Sequence, residues 1–94
     1  MEFDWEEIKK RYTNNPISHT KNGRQFRISR IDLGTIYIDL PSGEQSVSRK
    51  YLEKAVRLIN QGTVIGGPSD YKRLVYDERP AYAWAILRDA KLVK

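Results

Sequence analysis

The sequence predicts an α+β fold: a small antiparallel meander of three to four strands packed by an amphipathic helix, with an N-terminal helix before it and a buried C-terminal helix after it. Three stretches predict this. Arg49–Gln61 carries Leu52, Ala55, Val56 and Ile59 at helical spacing, with Tyr51 and Leu58 widening the apolar stripe. Upstream, apolar residues alternate with polar ones between Asn22-Gly23, Gly34 and Pro41-Ser42-Gly43, the chemistry of tight turns between strands. Downstream, Pro80 leads into Ala81-Tyr82-Ala83-Trp84-Ala85-Ile86-Leu87, which is apolar on nearly every side of a helix and so belongs in a core or an interface.

The N-terminal helix should begin at Trp5. Asp4 caps it, Glu7 reaches back as in a capping box, and Phe3 and Ile8 form a hydrophobic staple. Trp5, Ile8 and Tyr12 share one side, while Lys9, Lys10 and Arg11 suit the negative end of the helix dipole. Asn14, Asn15 and Pro16 stop it, because the proline ring disfavours helical backbone in the residue before it.

Asn22-Gly23 reads as a two-residue type I′ hairpin turn. That register sets Lys21 opposite Arg24, His19 beside Phe26 and Ile17 beside Ile28, with the last two pairs on the core face. Strict alternation would then bury Arg30 and expose Ile31. A bulge near Ser29–Arg30 restores Ile31 and Leu33 to the core and turns Arg30 to solvent. Ile36, Ile38 and Leu40 face the core in the next strand, Tyr37 faces solvent, and a short strand around Gln45–Val47 completes the meander.

The amphipathic helix should be capped by Ser48 and closed by Gly62 in a left-handed conformation. After the break at Gly66-Gly67-Pro68, residues 69–76 fit a short helix capped by Ser69 or a strand equally well. Lys91–Lys94 ends the chain without a cap or a polar tail, as in a domain cut from a longer protein.

With 94 residues the chain has room for one modest core, so residues 1–94 are expected to form a single domain. Hydrophobic residues at 39% argue against wholesale disorder, and a mean hydropathy of −0.67 without a long apolar run excludes a membrane span. The absence of cysteine removes disulfides and thiolate metal sites, and without a signal segment a cytoplasmic, intracellular location is expected. No motif calls for a cofactor, a bound metal or a catalytic residue.

The net charge of +5 is concentrated in the middle: residues 16–62 carry eight bases and four acids. Lys21, Arg24, Arg27 and Arg30 lie within ten residues that contain no acid, a local excess that draws phosphate by displacing its counterions. On the helix, Arg49, Lys50, Lys54 and Arg57 fall on the polar side, within an arc of about 140°. A solvated surface is the ordinary explanation of such charge. These eight cations nevertheless support a non-catalytic nucleic-acid-binding module, accessory or regulatory, with DNA ahead of RNA and with Tyr37 and Gln25 adding stacking or base-edge contacts.

The rival reading is a protein-interaction or homodimerisation module in which Trp5, Tyr82, Trp84 and Leu87 face a partner. A third is a metal-dependent nuclease built on the Asp-x-Lys spacing of Asp70-Tyr71-Lys72. His19, the single histidine, is expected to be packed on the core face, and no acid lies near it in the sequence to make it a catalytic base. A helix-turn-helix over residues 69–90 is disfavoured because its second helix lacks a polar face to read base edges.

Overall fold

The computed structural model describes residues 2–93. Helix α1 (Trp5–Asn14) precedes strands β1 (Ile17–His19), β2 (Gln25–Ile31), β3 (Thr35–Leu40) and β4 (Gly43–Ser48); helices α2 (Arg49–Asn60), α3 (Pro68–Val75) and α4 (Pro80–Asp89) follow. The strands form one antiparallel sheet in the order β1-β2-β3-β4. The predicted α+β meander, with its N-terminal helix and buried C-terminal helix, is the observed fold.

Local chemistry explains most boundaries. The Asp4 carboxylate accepts the Glu7 backbone N–H at 3.1 Å and opens α1. Ser48 precedes α2 without the expected side-chain cap, and the Arg49 N–H bonds to the Gly34 carbonyl at 2.9 Å. At its other end the Gly62 and Thr63 N–H groups bond to Ile59 and Leu58 with Gly62 at φ 96, a Schellman closure. Residues 68–75 are helical, and Pro68 rather than Ser69 takes the first position, with Gly67 as the cap. Helix α4 closes in the same way as α2: Lys91 and Leu92 N–H groups bond to Arg88 and Leu87, with Lys91 in the left-handed region at φ 60. The chain after Asp89 is therefore capped, by a lysine where glycine is usual; Lys94 lies outside the described residues.

The first hairpin departs from the expected register. Thr20 and Arg24 close a three-residue loop, in which the Gly23 N–H bonds to the Thr20 carbonyl and Gly23 has φ 87. His19 consequently pairs with Gln25, Ser18 with Phe26 and Ile17 with Arg27. A slip of one residue exchanges the faces, so Ser18 is buried and His19 is exposed. The bulge lies where it was expected, between Ile28 and Arg30, and it turns Arg30 toward Tyr37. Leu33 does not return to the core; it is 79% exposed at the tip of the β2–β3 turn.

One face of the sheet is covered. Phe26, Ile28, Ile36, Ile38 and Val47 meet Trp5, Ile8 and Tyr12 of α1, Leu52, Ala55 and Val56 of α2, Tyr71 and Val75 of α3, and Ala83–Leu87 of α4 in a single apolar cluster. The opposite face is open. Helix α4 is central: Trp84 Nε1 donates to the Ile65 carbonyl at 3.3 Å, and Tyr82 packs edge-on against Phe26 with centroids 5.0 Å apart.

Candidate nucleic-acid interface

The fold divides the eight predicted cations among separate places. Arg27 and Arg30 emerge on the open face of the sheet. There Arg27 stands in register with Asp39, which is in turn in register with Glu44 on β4. The Arg30 guanidinium lies 3.3 Å from Glu44 and 3.5 Å from the centroid of Tyr37. The Tyr37 hydroxyl donates to Asp32 at 3.2 Å, so the ring predicted to be free for stacking is covered and half-buried. Asp32 is itself held below the ordinary carboxylate range, chiefly by the Gly34 backbone N–H it accepts. Two arginines facing two acids leave this surface close to neutral.

Lys21, within the first hairpin loop, and Arg24, which closes it, stand on one wall of a cavity of about 670 Å³ that also meets Gly66, Gly67, Asp70 and Tyr82. Lys21 and Asp70 are spent on the loop opposite, whereas the exposed Arg24 guanidinium has no side-chain partner among the described residues. Lys21 Nζ donates to the Gly66 carbonyl at 2.9 Å and sits 5.6 Å from the Trp84 ring, while Asp70 accepts the Gly66 N–H at 3.0 Å. That bond, followed by the one from Arg73, lowers the Asp70 carboxyl below its usual range. Lys21 therefore fastens the hairpin to the start of α3.

Arg49 is engaged as well. It bonds to the Leu33 carbonyl at 3.2 Å, pairs with Glu53 at 3.3 Å and lies 5.1 Å from the Trp5 ring. Lys50 and Arg57 are exposed, and with the half-buried Lys54 they make a separate group. With 100° per residue they fall within about 60° of one another, directly opposite the buried stripe of Leu52, Ala55 and Val56. Glu53 lies outside that arc and is turned to Arg49. Arg57 is exposed and has no side-chain partner among the described residues.

One residue not predicted for a site adjoins this line. Lys54 Nζ reaches the Val75 carbonyl at 3.4 Å and lies 5.2 Å from the Tyr76 ring, which is 77% exposed. The Tyr76 N–H bonds to the carbonyl of Lys72 and so ends α3. The sequence offered Tyr76 only as one residue of an ambiguous alternating run. Its position beside α2 comes from the turn that ends α3.

The remaining candidates are structural. Trp5, Trp84 and Leu87 are buried in this chain's own core, and Tyr82 is half-buried against Phe26, so the apolar surface assigned to a partner is used internally. Asp70 and Lys72 are two residues apart on a helix and point to different sides, so the nuclease-type spacing builds no shared site. Among the described residues no three of His, Asp or Glu group in a way that would hold a metal ion. Nor is any helix among them long and apolar enough to cross a membrane.

No protein-family model matches the chain, and neither a curated protein nor a solved structure does.

Proposed function

We propose that this chain is a non-catalytic nucleic-acid-binding module whose working surface is the outer face of α2. One observation carries the reading: Lys50, Lys54 and Arg57 lie within about 60° on the side of α2 opposite its buried stripe, with Lys54 half-buried beside Val75 and the neighbouring Glu53 paired with Arg49. At 1.5 Å per residue the line extends about 10 Å, the distance over which a strand rising about 3.4 Å per phosphate presents about three charges. The sheet-face arginines lack this character because Asp39 and Glu44 oppose them. This narrows the surface from eight cations to the three of α2.

Three phosphate contacts predict a logarithmic salt slope of about −2 to −3 for oligonucleotide binding. Fluorescence anisotropy over a salt series measures it directly. A slope near zero, or no binding at low salt, would remove the proposal.

A further inference from the structure

Tyr76 carries two costs at once. It ends α3 at φ 63 and ψ 38, the left-handed region where the Cβ of an L-residue crowds the backbone and glycine is favoured. Its ring nevertheless remains 77% exposed, so the strained position gains little from burial. Lys91 closes α4 in the same left-handed conformation, so what sets Tyr76 apart is the large aromatic ring it leaves in solvent. The Lys54 ammonium, 5.2 Å from the ring centroid, joins the ring to the cationic line of α2. The ring of Tyr37, by contrast, is already covered by Arg30 at 3.5 Å.

An exposed ring beside a phosphate-sized line of cations suits a strand whose bases are free. In a duplex each base is stacked between its neighbours, whereas an unpaired base offers a π-face to any aromatic platform. Tyrosine also has no place among the side chains that read base edges by paired hydrogen bonds. We propose that the α2 surface takes single-stranded nucleic acid, with one unpaired base stacked on Tyr76 and the adjoining phosphates on Lys50, Lys54 and Arg57. This rests on the reading of α2 as a nucleic-acid surface.

The test compares four forms of the full chain: wild type, Tyr76→Ala, Tyr76→Trp, and the combined Lys50→Gln, Lys54→Gln, Arg57→Gln variant. Each is titrated into a labelled oligothymidylate and into a labelled duplex of equal length. Wild type should prefer the single strand. Tyr76→Ala should weaken single-strand binding about tenfold with an unchanged salt slope, leave duplex binding as it was, and Tyr76→Trp should retain affinity. Because Tyr76→Ala removes only an exposed ring, its folding is checked by matching thermal melts, and Tyr76→Trp keeps the test open if that variant is unstable. Tighter binding to duplex, or full single-strand affinity without the ring, would overturn the stacking proposal while the α2 surface stands. If the triple variant also binds as wild type, the underlying reading falls with it.

Discussion

The Tyr12 hydroxyl donates a 2.7 Å hydrogen bond to the carboxylate of Asp89, 77 residues away in the chain. The Ser18 hydroxyl donates to the same oxygen, and the Arg88 guanidinium donates to the other at 3.2 Å. With its side chain 11% exposed, Asp89 ties α1, β1 and α4 together at one point. Asp89→Ala would strand the buried hydroxyls of Tyr12 and Ser18 without their acceptor. We expect it to cost about 2–4 kcal/mol of unfolding free energy, and Asp89→Asn, which keeps an acceptor oxygen, about half that. Urea midpoints at an unchanged m-value measure both.

The same contact makes the fold sensitive to alkali. Burial, then the nearby charges of Asp89 and Asp77, push the Tyr12 and Tyr71 hydroxyls well above the ordinary tyrosine value. In the unfolded chain these groups lose their protons near pH 10, while in the folded chain they hold them. The stability they confer is therefore complete below about pH 10 and drains as pH rises from there toward the folded values. Each phenol should contribute a fall of about 1.4 kcal/mol per pH unit in that range. Urea denaturation at a series of pH values reads this slope, and a Tyr12→Phe, Tyr71→Phe variant should lose it.

Two helix ends predict opposite effects of glycine. Lys91 holds the left-handed closing position of α4 at φ 60, and Gly62 holds that of α2 at φ 96. Lys91→Gly should stabilise the chain by about 1 kcal/mol, and Gly62→Ala should destabilise it by about as much. For a domain of this size each change corresponds to a thermal midpoint shift of about 4–8 °C, measurable by differential scanning calorimetry.

Features fixed by a few adjacent residues were legible in the sequence. The Asp4 cap, the stop at Asn15-Pro16, the Ser29 bulge and the Gly62 closure all depend on chemistry within a turn of the chain. The hairpin register was not, because a two-residue and a three-residue loop both place Gly23 at positive φ. The Thr20 hydroxyl, which accepts the Arg24 N–H, and Asp89, which receives Ser18 from 71 residues along the chain, favour the longer loop. Residues 69–76 were ambiguous for a similar reason: their helix is fixed by Tyr71, whose hydroxyl bonds to the buried Asp77 at 3.1 Å. The cations could be named but not sorted, since tertiary packing decides that Arg30 meets Glu44 while Arg57 meets solvent. Nothing in the residue type of Tyr76 announces a left-handed conformation.

The most direct test of the account separates its two basic surfaces. Oligonucleotide affinity across a salt series would be measured for wild type, for Lys50→Gln, Lys54→Gln, Arg57→Gln, and for Arg27→Gln, Arg30→Gln. The account predicts that neutralising α2 lowers affinity more than about tenfold at low salt and flattens the salt slope by about 2, while the sheet variant changes affinity less than about threefold. An equal or greater loss from the sheet variant, or wild-type binding by the α2 variant, would contradict it.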